Sequence, residues 1–181
     1  MAGRDVASAI SALLPIPFNG SVWRAHRARY SAADASGSAL VSGRYNRGID
    51  RFAHEQCWPA LYCGLTRAVC VGEIVRHVPA ALLPLLNDFL LTELHVALTA
   101  VLDCRDLTQL GVSPSELLHD YNFEVAQDLA EAARSRDAEG MLVPSATLLG
   151  DVIVIFPDHL RERSVIDVRR SDPIRLYVDR G

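Results

Sequence analysis

The sequence of 181 residues contains no lysine, and all 18 of its basic residues are arginine. This absence excludes enzymes that form a Schiff base on lysine, P-loop nucleotide hydrolases and hydrolases with a Ser-Lys dyad. The 18 arginines are outnumbered by 22 acidic residues, so the net charge is −4 and the pI is about 5.8. A domain that binds DNA by itself usually carries a basic face, and we therefore expect no direct contact with nucleic acid.

Motifs for metal binding and for membrane insertion are lacking as well. The four cysteines form no C-x-x-C pair, and His54-Glu55 has no second histidine four residues further on. We therefore expect no metal site and interpret the cysteines as buried, reduced thiols of a cytosolic protein. No apolar run approaches the ~18 residues of a membrane span, and the N-terminus matches a signal peptide poorly. These features predict a cytoplasmic protein that does not contact a membrane.

What is present suits one domain with a sizeable core. Half of the residues are hydrophobic and 22% are charged, and neither an internal repeat nor a long linker divides the chain. We predict a single domain over residues 1–181, in which residues 1–20 form an N-terminal helical extension.

The apolar patterns predict short strands and helices that do not follow a βαβ rhythm. Runs bounded by glycine, proline or polar residues predict strands at Val22–Tyr30, Leu61–Cys63, Phe89–Ala97, Val101–Cys104, Met141–Val143, Asp151–Phe156, Val165–Val168 and Ile174–Val178. Helices are predicted at Asp5–Leu14, Thr66–His77, Ala80–Asp88 and Phe123–Ser135, with a capping box at Ser113–Glu116 and a loop at Ser31–Ser42. The order favours an α+β fold with a split, mostly antiparallel sheet flanked by helices.

Three short segments combine polar side chains with apolar surroundings. They are Ser42–Asn46, the strand Leu61–Gly64 with a following helix that contains Glu73, and Val143–Ala146. In this order and spacing, with Trp23-Arg24 upstream, they resemble the RES-domain family, the toxins of RES–Xre toxin–antitoxin systems. The resemblance extends from about residue 23 to residue 157.

The resemblance is carried by three motifs and has two departures. Gly43-Arg44-Tyr45-Asn46 is similar to the family's Gly-Arg-Trp-Asn, Leu61-Tyr62 precedes the helical Glu73, and Val143-Pro144-Ser145 is similar to its Val-Pro-Ser. Tyr45 stands where tryptophan is commoner, which keeps an aromatic surface. Gly150-Asp151 occupies a stretch where the family often has asparagine.

The resemblance implies a fold like that of diphtheria-toxin-type ADP-ribosyltransferases and a reaction on NAD⁺. NAD⁺ would be the substrate, cleaved at its nicotinamide–ribose bond, with no prosthetic group. The residues implied as catalytic are Glu73, Arg44 and Ser145. Those implied to bind NAD⁺ are Arg24, Arg44, Tyr45, Asn46, Tyr62 and Ser145. An Xre-type antitoxin is the implied protein partner.

The chemistry of this bond suits the implied residues. Its cleavage passes through an oxocarbenium-like state that a carboxylate such as Glu73 stabilises. Arginine binds phosphate oxygens in a bidentate manner, and tyrosine offers an aromatic face for the nicotinamide ring. Each of these residues also has a structural interpretation that needs no ligand. Glu73, for example, could pair with Arg76 at i+3. The glycine beside it, Gly72, indicates a close packing or binding contact.

The sequence leaves three functions open. The favoured one is degradation of NAD⁺ by hydrolysis or phosphorolysis, and the second is transfer of ADP-ribose to a protein. The third is a non-catalytic binding module on the same fold. The acceptor and the presence of a homo-oligomer stay undecided, because both depend on the shape of surfaces that the sequence does not define.

Overall fold

The computed structural model describes residues 6–76, 78 and 86–178. Its strands are β1 (Ile16–Arg27), β2 (Leu61–Gly64), β3 (Phe89–Asp103), β4 (Gly140–Pro144), β5 (Asp151–Ile155) and β6 (Val165–Pro173). Its α-helices are α1 (Val6–Ala12), α2 (Ser36–Leu40), α3 (Arg67–Arg76), α4 (Pro114–Leu117), α5 (Glu124–Arg134) and α6 (Arg175–Val178), and short 3-10 turns cover His54–Gln56 and Pro157–His159. None of the helices in these described ranges is long and apolar enough to cross a membrane.

The strands form one mixed sheet in the order β1-β2-β5-β4-β3-β6. Strand β1 also pairs with β3, so the hydrogen-bonded order β1-β2-β5-β4-β3 returns to β1. The β3–β4 pairing is parallel, and the other pairings between the described strands are antiparallel. The predicted α+β class with a mostly antiparallel sheet is therefore confirmed.

Strand β3 is the longest element and differs from its prediction as two strands. Thr99 and Ala100 lie where the register between β1 and β3 shifts. The buried carboxylate of Glu139 compensates there, because its Oε2 accepts the backbone N–H groups of Thr99 at 2.7 Å and Ala100 at 2.9 Å. The side chain of the residue directly before β4 thus satisfies the backbone N–H groups of β3 at its irregular point.

Three other segments differ from the sequence prediction, and a fourth is mostly untested. Most of the segment 174–178, predicted as a strand, forms the short helix α6 at residues 175–178, after β6 has ended at Pro173. Strand β1 covers Ile16–Arg27 instead of the predicted residues 22–30, so residues 16–20 of the predicted helical extension belong to a strand. Pro17 stands near the end of this strand, where a missing N–H is tolerated. Helix α2 lies within the predicted loop 31–42. Most of the predicted helix 80–88 lies outside the described residues.

The other elements follow their local signals. Thr66 Oγ1 accepts the N–H of Val69 at 3.2 Å and so caps α3, as the sequence predicted. Ser113 and Glu116 form the predicted capping box before α4. Helix α5 packs against α1 and buries Leu129, which joins Ile10 and Met141 in the largest hydrophobic cluster. This packing covers one face of the sheet. The candidate site lies elsewhere, beside α3.

Candidate active site

A cavity of about 510 Å³ lies between α3, the turn at residues 42–45 and strands β2, β4 and β5. This volume falls within the range of small-molecule sites, which is about 300–1,000 Å³. One part of its wall is polar and contains Arg44, Tyr62 and Glu73. The rest is apolar and is lined by side chains that include Ala25, Cys70, Ile74, Leu86 and Phe89.

Glu73 lies on α3 and brings its carboxylate to the cavity wall. Its Oε1 accepts two hydrogen bonds, one from the Ser145 hydroxyl at 2.5 Å and one from the Ala146 N–H at 2.8 Å. Ser145 is fully buried and is not itself a lining residue. No described residue donates a hydrogen bond to Oε2, so this oxygen can meet a ligand while Oε1 holds the side chain in place.

Arg76, three residues after Glu73, does not pair with it. Its guanidinium donates to the carbonyl of Ala146 and forms an ion pair with Asp120 at 2.5 Å. The helix end is thereby tied to the loop that holds Glu73. The packing contact predicted beside Gly72 is also found, since a Cβ there would approach Thr147 Cγ2 and Leu149 Cδ1 to 3.4 Å.

The turn from Gly43 to Asn46 is joined to β2 by hydrogen bonds. The hydroxyl of Tyr62 accepts the N–H of Tyr45 at 2.8 Å and donates to Asn46 Oδ1 at 2.7 Å. Position 43 requires glycine, because a Cβ would lie 2.5 Å from Asn46 Oδ1 and 3.0 Å from the Tyr62 hydroxyl. Asn46 is buried and absent from the cavity wall, so its contribution is to hold the turn.

Gln127 on α5 also holds this turn, and the sequence analysis did not single it out. Its Nε2 donates to the carbonyls of Gly43 at 2.9 Å and Asn46 at 3.0 Å. The side chain is buried. A polar residue on the apolar side of a helix was the available signal, but its partner lies more than 80 residues away in sequence.

Arg44 lines the cavity with its guanidinium already anchored. Its NH1 donates to the carbonyls of Leu117 and His119, both at 2.8 Å, and its guanidinium carbon lies 5.3 Å from the centre of the Phe123 ring. Arginine has five N–H donors. Within the described contacts, Nε and NH2 are therefore left to bind an anionic group in the cavity.

Tyr45 and Tyr62 present aromatic surface at the same wall, with ring centres 6.2 Å apart. Burial raises the pKa of both hydroxyls well above 10, so both are neutral at physiological pH. Tyr45 is only 3% exposed, and its hydroxyl has no hydrogen-bond partner among the described residues. Tyr62 is the more exposed of the two, so it offers most of the uncharged aromatic surface at this wall.

Arg24 is not brought to this cavity. Its side chain leaves β1 on the sheet face opposite to that of its neighbour Ala25, which does line the cavity, and its guanidinium donates to the carbonyl of Ala32. Burial lowers the pKa of Arg24, with partial compensation from nearby groups. The geometry thus assigns Arg24 a structural contact, and its predicted role in binding stays a prediction.

The two cysteines at the cavity are not activated thiols. Cys63 and Cys70 line it, but burial raises the pKa of each thiol to about 12. Both are therefore protonated at physiological pH and are poor nucleophiles. No cluster of three or more His, Cys, Asp or Glu side chains that could hold a metal ion occurs in residues 6–76, 78 and 86–178.

The Gly150-Asp151 departure closes the loop beside Ser145. Gly150 has a φ of +146°, and its carbonyl accepts the N–H of Ser145 at 2.8 Å. A side chain at position 150 would be strained by that φ and would approach Val69 Cγ2 to 2.9 Å. Asp151 instead forms an ion pair with Arg105 at 3.2 Å. Neither residue lines the cavity.

The fold and the site define an α+β domain with a mixed polar and apolar cavity, whose wall contains a fixed carboxylate and an anchored arginine. The RES domain model matches residues 21–179, and the chain belongs to the RES-domain family. The match extends beyond residue 157, where the resemblance in sequence ended. None of the curated proteins matches the chain significantly.

The same architecture occurs in a solved structure, "Crystal structure of the M.tuberculosis MbcT-MbcA toxin-antitoxin complex". The superposition has a TM-score of 0.79 and covers 96% of this chain and 95% of that chain, at 22% sequence identity. At this level of identity the comparison supports the fold.

Proposed function

We propose that this chain is the toxin of a toxin–antitoxin pair and cleaves NAD⁺ at the nicotinamide–ribose bond, by hydrolysis or phosphorolysis. The observation that carries the proposal is the arrangement of Glu73, whose Oε1 is fixed by Ser145 and Ala146 while Oε2 is left for a ligand. Membership of the RES-domain family supports it.

The residues present suit the charge changes of this reaction. As the C–N bond breaks, its electron pair stays on the ring nitrogen and nicotinamide leaves as a neutral molecule. The ribose carbon becomes positively charged, and a carboxylate held beside it stabilises that state. Water then adds and releases a proton, or phosphate adds to give a ribose 1-phosphate.

The remaining polar and aromatic side chains would bind the substrate. Nε and NH2 of Arg44 would bind pyrophosphate oxygens, for which the planar guanidinium is suited. The rings of Tyr45 and Tyr62 would contact the nicotinamide. No metal or prosthetic group takes part in this proposal, and the net charge of −4 does not prevent anion binding because local arginines set the potential of a cavity.

A protein that consumes NAD⁺ in its own cell requires an inhibitor. The solved structure with the same fold is named as a toxin–antitoxin complex, and the RES-domain resemblance implies an Xre-type antitoxin. We propose that the antitoxin covers the cavity and places an anionic group, such as a carboxylate, against Arg44. Binding to operator DNA would belong to the antitoxin.

The direct test is incubation of the purified chain with NAD⁺, with and without phosphate. Wild type is expected to release nicotinamide, and Glu73→Gln is expected to lose about 10²–10³ in rate while remaining folded. Glu162→Gln is the matched control, because Glu162 is exposed and does not line the cavity. Free ADP-ribose indicates hydrolysis, whereas turnover only with phosphate indicates phosphorolysis.

Two other results would contradict the proposal. Labelling of proteins in a lysate without bulk loss of NAD⁺ would indicate ADP-ribose transfer, and no activity of any kind would indicate a binding module.

Expression in cells adds a second criterion. Wild type should halt growth, Glu73→Gln should not, and co-expression of the neighbouring gene should restore growth; a folded wild type that is harmless at high expression refutes the toxin role.

A further inference from the structure

The loop after β4 contains a chain of hydroxyl groups that ends on Glu73. Ser145 Oγ lies 2.7 Å from Thr147 Oγ1 and accepts the N–H of Thr147 at 3.1 Å. Thr147 Oγ1 in turn accepts the N–H of Leu149 at 3.4 Å. Thr147 is part-buried and, unlike Glu73, does not line the cavity.

Counting donors and acceptors fixes the direction of the hydrogen bond between the hydroxyls of Ser145 and Thr147. A serine hydroxyl has one proton to donate and two lone pairs to accept with. The Ser145 proton is donated to Glu73 Oε1, and one lone pair accepts the Thr147 N–H. The short contact between the two hydroxyl oxygens then requires Thr147 to be the donor, which uses the second lone pair of Ser145.

The backbone of the loop is shaped to make this contact. Leu148 has a φ of +59°, which is unfavourable for a leucine and persists only where surrounding contacts enforce it. Its N–H donates to the carbonyl of Ser145 at 3.0 Å, which closes the turn that brings Thr147 back over Ser145. The exposed Leu148 side chain gains little from this conformation, so the bonds between Ser145 and Thr147 are what the turn provides.

We propose that Thr147 is a positioning residue of the site, whose hydroxyl directs the Ser145 proton to Glu73 Oε1 and so leaves Oε2 for the ligand. Without the Thr147 hydroxyl, Ser145 loses one of its two donors, and its own hydroxyl is less restricted in rotation. Glu73 then loses part of its support. The inference rests on the proposed function for the reaction that is assayed, but the geometry is independent of which reaction that is.

The test uses Thr147→Val, which removes the hydroxyl and keeps the shape, and Thr147→Ser, which restores the hydroxyl without the methyl group. In the NAD⁺ assay, Thr147→Val is expected to lower kcat about 10-fold, the effect of one hydrogen bond in a network, and to leave KM within about twofold. Thr147→Ser is expected to return kcat to within about twofold of wild type. Thr108→Val, an exposed position outside the cavity wall, is the control and should change neither constant.

A second readout does not depend on activity. The Ala146 N–H donates to Glu73 Oε1, so its amide hydrogen exchange, followed by NMR, reports how firmly the carboxylate is held. Exchange should be faster in Thr147→Val and return towards the wild-type rate in Thr147→Ser.

The possible failures are distinct. A wild type that leaves NAD⁺ intact refutes the proposed function, and the exchange rates then decide on Thr147 alone. With an active wild type, an unchanged kcat in Thr147→Val, or a loss that Thr147→Ser does not restore, overturns the assignment of Thr147.

Discussion

Replacing Glu139 by glutamine should lower the free energy of unfolding, because this buried carboxylate accepts five hydrogen bonds. The side chain is fully buried, and the residue lies directly before β4. Its Oε2 accepts three hydrogen bonds, from the N–H and hydroxyl of Thr99 and the N–H of Ala100. Its Oε1 accepts the N–H of Arg161 at 2.9 Å and the hydroxyl of Ser164.

These bonds decide the charge state of Glu139. Burial by itself raises the pKa, but the bonds from Ser164, Arg161 and Thr99 prevail and lower it to about 2 from an ordinary value of 4.5. A shift of this size corresponds to on the order of 3 kcal/mol of folding free energy at neutral pH. Because the folded-state pKa is the lower one, this contribution is fully present above about pH 4.5 and is lost as the pH falls towards 2.

Glutamine at position 139 cannot reproduce this arrangement. If its oxygen takes the place of Oε2, its NH₂ group faces the Arg161 N–H, and two donors then oppose each other in a buried place. Ser164 can rotate its hydroxyl to accept, but a backbone N–H cannot, and an unsatisfied buried donor costs about 1–3 kcal/mol. We therefore expect Glu139→Gln to lower the free energy of unfolding by about 3 kcal/mol at pH 7.

The assay is equilibrium unfolding in urea at pH 7 and at several values down to pH 3, with Glu162→Gln as the exposed control. The difference between wild type and Glu139→Gln should shrink as the pH falls below 4.5, because the wild-type carboxylate begins to lose its advantage. A difference below about 0.5 kcal/mol at pH 7, the size expected of an ordinary surface substitution, would refute the reasoning. A large difference that does not change with pH would also do so.

Substitutions at two further positions address the turn at residues 43–46. In the inactive Glu73→Gln background, Arg44→Lys should weaken NAD⁺ binding about 10-fold by titration calorimetry, because lysine cannot hold two carbonyls and a phosphate together; equal dissociation constants would remove Arg44 from the binding site. Gln127→Met should lower the free energy of unfolding by about 1–3 kcal/mol in urea denaturation, because the carbonyls of Gly43 and Asn46 lose their donor. It should also raise KM for NAD⁺, and Gln127→Glu should not restore it, since a carboxylate cannot donate; a wild-type KM in Gln127→Met would show that the turn holds without α5.

Much of the fold followed from local signals in the sequence. The caps at Thr66 and Ser113 place α3 and α4 correctly, and the apolar run at β2 predicts a buried strand. These signals suffice because each depends only on residues that are neighbours in sequence. The α+β class followed from the order of such elements. Strand β3 did not follow, because its continuity through Thr99 depends on Glu139, which lies 40 residues away.

For the site, the sequence by itself determined which segments carry polar groups, and the family resemblance selected Glu73, Arg44 and Ser145 among them. The tertiary structure alone decided how they meet. It places Glu73 against Ser145 across 72 residues of sequence, turns Arg24 to the opposite face of the sheet and brings in Gln127. The physical reason is that a short motif fixes residue type and local backbone, whereas the direction of a side chain and the partner it finds depend on strand register and helix packing between segments far apart in the chain.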